Sequence, residues 1–136
     1  MPRALIIDDE PPVRSTLRAM LEHAGFAVSE ASEGEQGIRA YFQQPADLIF
    51  CDMFMAGKEG LETIMQMRRQ GIRVPIVAMS GGTCTGVIDC LPVAKLLGAT
   101  ITLQKPFGME KLRNVLVEIN AEPATIVPMA AGVTAD

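Results

Sequence analysis

Apolar and polar positions fall in blocks along this chain. Residues 4–7, 48–51 and 76–79 are continuously apolar, and each run is bounded by polar or turn residues. Runs of that length suit strands covered on both faces of a parallel sheet. Two weaker runs, 26–31 and 100–103, partly alternate between apolar and polar residues. Alternation suits edge strands, which are less covered. Between the runs, apolar residues recur at helical spacing. Val13, Leu17, Met20, Leu21 and Ala24 mark a first helix, with Pro11 and Pro12 at its start and Gly25 at its exit. Ile38, Tyr41 and Phe42 mark a second before Pro45, and Leu61, Ile64, Met65 and Arg68 a third that Gly71 closes. A fourth falls between Gly86 and Gly98, and Leu112, Val115, Leu116 and Ile119 mark the last. Pro92 lies inside the fourth, where it has no N–H to donate and clashes with the preceding turn. That helix is expected to kink at Pro92 or to begin there. Strand and helix thus alternate five times without a repeat, which predicts an α/β fold with a doubly wound parallel sheet.

The chain has 136 residues, the size of one domain, and 49% of them are hydrophobic, enough for one core. The expected domain covers 1–120. Residues 121–136 carry two prolines and many small residues, so a flexible tail is expected there, too short for an output domain. A net charge of −4 argues against nucleic-acid binding by a basic patch. No apolar run reaches membrane-spanning length, and acids end the first one too early for a signal peptide. A cytoplasmic location follows as the expectation. Three cysteines without a C-x-x-C pair suit a reducing compartment. Cys51 lies in an apolar run and reads as core, while Cys84 and Cys90 lack cationic neighbours that would activate them.

The residues after each strand change the picture. The first strand ends in Asp8-Asp9-Glu10, the third in Asp52, the fourth in Ser80-Gly81-Gly82, and the fifth in Gln104-Lys105-Pro106. Open α/β sheets bind ligands outside the carboxyl ends of their strands, where strand order reverses. Singly, each group has a bland reading: a helix-capping aspartate, a turn serine or a solvated lysine. Together they describe one crevice. Three carboxylates in one place repel, which favours a hard divalent cation such as Mg2+. A carboxylate can attack a phosphoryl group, and a metal with a lysine can neutralise the transferring oxygens. The glycines near Ser80 do not form a P-loop, because Val87 and Ile88 follow Gly86 where Lys and Ser/Thr are needed.

With these groups placed, the motifs IIDDE, IFCDM, AMSGG and LQKPF, in that order and spacing, resemble those of the receiver domains of two-component response regulators. The resemblance covers roughly residues 3–120 and implies a flavodoxin-like sheet of order 2-1-3-4-5. It implies that Asp52 is the phospho-acceptor, Ser80 the switch hydroxyl and Lys105 the phosphate contact. Asp9 and Asp52 would ligate the metal directly, Asp8 through water, and Phe54 by its backbone carbonyl. A cis Lys105–Pro106 bond is implied as well. The implied donor is a sensor histidine kinase or a histidine phosphotransfer protein, and the output an unidentified protein target. Such a stand-alone receiver catalyses only its own phosphorylation and slow dephosphorylation. Phosphorylation would act through the last two helices and the fifth strand.

Departures from the family pattern are Ala56, where proline is usual, and Thr102, where the switch aromatic is usual. Loop and helix rearrangement is therefore expected to carry the signal. Competing readings are a phosphate-independent binding module, an aspartyl phosphohydrolase and a flavin carrier. The phosphohydrolase needs a second acid two residues after the nucleophile, where Phe54 stands, and the acidic crevice would repel a flavin phosphate. Phe54 and Gly82 occupy the variable positions beside the acceptor, and neither side chain can orient a hydrolytic water. The phosphorylated form is thus expected to be long-lived. Phe54→Asn should speed its decay, read by intact mass over time; fast decay that this variant leaves unaltered would refute the idea.

Overall fold

Strands β1 (Arg3–Ile7), β2 (Ala27–Ala31), β3 (Leu48–Asp52), β4 (Ile76–Ser80) and β5 (Ile101–Gln104) alternate with five helices in a computed structural model that describes residues 1–53, 60–81 and 90–119. The helices are α1 (Pro11–His23), α2 (Gly34–Gln43), α3 (Gly60–Arg69), α4 (Cys90–Leu97) and α5 (Met109–Glu118). All strand pairs are parallel, in the order β2-β1-β3-β4-β5. The chain winds outward from β1 to β2, then returns past β1 to β3. The reversal therefore lies between β1 and β3, and their carboxyl ends border the crevice that the winding leaves open.

Period-two side chains divide the interior into two cores. Ala4, Ile6, Leu48, Phe50, Val77 and Met79 pack with Leu17 and Leu21 of α1 and Leu112, Val115 and Leu116 of α5. Leu5, Ile7, Ile49, Cys51, Ile76 and Ala78 pack on the other face with Ile38, Ile64, Met67 and Ala94. Both faces are thus covered, so β3 and β4 are buried at every residue, whereas the edge strands β2 and β5 are buried only in part. This explains the continuous apolar runs of the inner strands and the alternation of the outer ones.

Some helix faces differ in detail from the sequence pattern. In α3 the buried residues are Gly60, Thr63, Ile64 and Met67, and Met65 is only half-buried. In α2 the buried residues are Gly34, Gly37 and Ile38. A Cβ on Gly37 would approach Ile7 Cγ1 at 2.7 Å, so small residues set how closely this helix meets the sheet. Phe42 lies about 90° around the helix from that face. It is exposed and meets Tyr41 edge-on, with ring centroids 5.4 Å apart. In α4, described over Cys90–Leu97, Pro92 lies within the helical segment. Residues 82–89 and 120–136, which hold the expected start of that helix and the tail, lie outside the described residues. Among the described residues no helix is long and apolar enough to cross a membrane.

Arg68, part of the helical stripe of α3, braces the end of the sheet away from the crevice. Its guanidinium donates to the carbonyls of Gly98 (2.9 Å), Ile72 (2.8 Å) and Val74 (2.8 Å), and to Thr100 Oγ1 (3.4 Å). Burial lowers its pKa, and the charge of Arg73 adds to that. Gly98 has φ +129°, and a Cβ there would meet Arg68 Cγ at 2.7 Å, so glycine is needed for both backbone and space. Arg68→Met leaves three carbonyls without this donor. It should lower the unfolding free energy by about 2 kcal/mol, read as a shift in urea midpoint at unchanged slope.

Candidate functional site

Asp8 follows β1 directly, and its N–H extends the sheet by one bond to Ala31 O (3.1 Å). Its Oδ1 accepts the N–H of Glu10 at 2.9 Å, a local turn that bends the chain toward α1. Asp52 ends β3 opposite Met79, and Met53 N–H still bonds Met79 O at 2.8 Å. Ser80 follows Met79 at the end of β4 and pairs with Gln104. The Ser80 carbonyl accepts the N–H of Lys105 at 2.6 Å, and the Lys105–Pro106 bond is cis. Each strand thus delivers its polar group at the point where it leaves the sheet.

The groups converge. Asp8, Asp52 and Ser80 are buried and Asp9 is half-buried. Ligand oxygens of Asp8, Asp9 and Asp52 lie within 4.8 Å of one another. Lys105 Nζ stands 2.9 Å from Asp8 Oδ2, 3.4 Å from Asp52 Oδ1 and 3.6 Å from Glu10 Oε1. Its side chain is only 13% exposed and Asp8 and Asp52 are buried, so solvent screens those two pairs weakly, whereas Glu10 is exposed. Burial on its own would lower the Lys105 pKa, but the hydrogen bond to Asp8 and the charge of Asp52 outweigh it and leave the pKa raised. Burial beside Asp52 and Asp8 also pushes the Cys51 thiol far up, so Cys51 stays a protonated core residue.

Asp8, Asp9, Asp52 and Lys105 therefore meet around one point, and Ser80 ends the strand next to Asp52. Phe54, whose carbonyl the family resemblance makes a metal ligand, lies outside the described residues. The three carboxylates form an all-oxygen donor set of the kind Mg2+ takes, and they fit it.

Two contributors were given no role of their own by the pattern of the chain. Glu10 adds a fourth carboxylate near Lys105. Gly60, at the start of α3, donates its N–H to Met53 O at 3.0 Å. A Cβ there would come within 2.6 Å of Met53 Cα and would overlap the Asp52 carbonyl. Only glycine lets α3 pack against the backbone at the end of β3. A lone glycine before an amphipathic helix was the available signal, but it reads equally as an ordinary helix start.

Residues 4–117 match the model of the response regulator receiver domain. The chain belongs to that family and is a receiver domain of two-component signalling. It is 34% identical over 116 residues to a probable C4-dicarboxylate response regulator, DctR, of Priestia megaterium, across 82% of this chain and 49% of that protein. It is 26% identical over 114 residues to the sporulation initiation phosphotransferase F of Bacillus subtilis, across 84% of this chain and 90% of that one. Among solved structures, chemotaxis protein CheY4 of Vibrio cholerae aligns with a TM-score of 0.77 at 27% identity, over 88% of this chain and 98% of that chain. The chain spans about half the length of the DctR proteins it matches.

A lysine whose pKa rises on folding stabilises the fold below its ordinary value of 10.5, and that stabilisation is lost as pH rises through the raised value. Lys105→Met should therefore cost about 2 kcal/mol in metal-free buffer. The deficit should be constant between about pH 6 and 9 and shrink above about pH 10.5, read from urea titrations of both proteins.

Proposed function

We propose that Asp52 accepts a phosphoryl group from a phosphohistidine of a sensor kinase or phosphotransfer protein, in the cytoplasm, and that the acylphosphate switches a protein-binding face. The observation that carries this reading is the convergence of Lys105 with the three carboxylates at the ends of β1 and β3. An Asp52 carboxylate oxygen attacks the phosphorus, and the P–N bond to the donor imidazole breaks. Its electron pair stays on that nitrogen, which leaves as the imidazole. Lys105 is placed to follow a phosphoryl oxygen, because it already spans Asp8 and Asp52. The Ser80 hydroxyl donates to another. Asp9 and Asp52, with the Phe54 carbonyl and with Asp8 through water, would hold Mg2+, which supplies charge neutralisation for the transferring oxygens.

The added group brings nearly two negative charges and three acceptor oxygens. Ser80 and Lys105 shift toward it, and both adjoin the elements that form the output face, α4, β5 and α5. That face carries apolar residues in water: Leu96 on α4 is 85% exposed and Val117 on α5 is 57% exposed. Thr102 of β5 is half-buried between them in sequence and holds the place of the family's switch aromatic. A hydroxyl of that size has little rotamer contrast to report, so backbone movement ahead of α4 carries the signal.

Intact mass after incubation with Mg2+ and a small phosphodonor tests the acceptor. One phosphoryl adduct is expected on the wild type and none on Asp52→Asn. Amide exchange over residues 83–97 should change in the phosphorylated protein. An adduct that survives in Asp52→Asn would move the acceptor elsewhere.

A further inference from the structure

Asp8 is held at every polar group by a described partner. Its N–H goes to Ala31 O, Oδ1 to Glu10 N–H and Oδ2 to Lys105. Its carbonyl is taken by Arg14 of α1, whose Nη1 donates at 2.7 Å. That carbonyl stands where β1 leaves the sheet, since the β1–β3 register ends at Ile7. Arg14 Nε meanwhile donates to Glu30 Oε1 of β2 at 3.1 Å, and Glu30 Oε2 accepts from Arg18 Nη1 at 2.6 Å. The Arg14 side chain is 19% exposed, well covered for an arginine on an outer helix. The hydrogen bond from Arg18, joined by one from Arg14, outweighs burial and holds the Glu30 carboxyl below its usual range, so this arm stays ionised.

The Asp8 carbonyl and the Asp9 N–H belong to one planar peptide unit. Gripping the carbonyl therefore fixes the plane from which the Asp9 side chain departs. We infer that Arg14, oriented by Glu30, is a positioning residue that aims the Asp9 carboxylate at the metal position beside Asp52. An exposed ion pair would contribute little to anything. This one differs because its second donor ends on the backbone of the site itself. A planar fork with two directed donors suits the task, and a lysine could serve only one of the two acceptors at a time.

The inference rests on the metal reading above, and direct metal binding to the unphosphorylated protein separates the two. The probe is Mg2+ alone, titrated into 15N-labelled protein and followed at the amides of residues 8–10. Groups that orient a ligand from behind typically change metal affinity by about tenfold or more. Arg14→Met should raise the Mg2+ dissociation constant about tenfold, and Arg14→Lys and Glu30→Gln about threefold. Arg18→Met, which removes the far partner of Glu30 and bonds to Glu22 and the Val28 carbonyl but leaves Arg14 on the Asp8 carbonyl, should stay within about twofold of wild type. At saturating Mg2+, phosphorylation of Arg14→Met by phosphoramidate should recover to near the wild-type rate. Unchanged Mg2+ affinity in folded Arg14→Met or in Arg14→Lys would overturn the inference while leaving the acceptor reading intact. A wild type that binds no Mg2+ would overturn both.

Discussion

Three carboxylates crowded at the end of a buried sheet repel one another, and a cation must answer them. In this protein the answer built into the fold is Lys105, within ion-pair distance of Asp8, Asp52 and Glu10. The low exposure of Lys105, Asp8 and Asp52 makes their attraction worth more than at a surface, and makes the two aspartates costly if left alone, whereas Glu10 is open to water. The site is therefore loaded before any ligand arrives. Negative charge is concentrated at one point, with one positive charge beside it. The arrangement around Asp52 depends on that balance.

The sheet makes the crowding possible. Parallel strands all end on the same side, and the reversal between β1 and β3 leaves their ends uncovered by a crossover. Covering both faces buries the strands, so each polar residue can appear only where its strand stops. The opposite edge is closed by Arg68, which binds carbonyls ahead of β4 and beside β5. One end of the sheet is thus braced by a cation on backbone dipoles, and the other holds carboxylates around a lysine. On the outside, α4 and α5 leave Leu96 and Val117 in water.

The element order, the inner and edge strands and the strand-end positions of Asp8, Asp9, Asp52, Ser80 and Lys105 were legible in the chain, because period and turn residues report burial and strand ends directly. Faces set by glycine were less so. Phe42 follows the spacing of Ile38, yet Gly34 and Gly37 turn the buried face of α2 away from it. Gly60 shows why: a residue with no side chain leaves no periodic signal, although its lack of a Cβ is what admits α3 to the end of β3. Arg14 and Glu30 are equally silent. Sixteen residues separate them, and nothing local distinguishes them from solvated charges.

By itself the sequence determined which residues could do chemistry and on which elements they ride, since those follow from local pattern. It determined the α/β class for the same reason. Tertiary structure alone decided that Asp8 and Lys105, ninety-seven positions apart, share a hydrogen bond. It also decided that the Asp8 carbonyl is gripped by Arg14, and that α3 comes close enough to demand a glycine. Those are facts about distance between segments. Distance is set by how both cores pack at once, which no stretch of chain encodes alone.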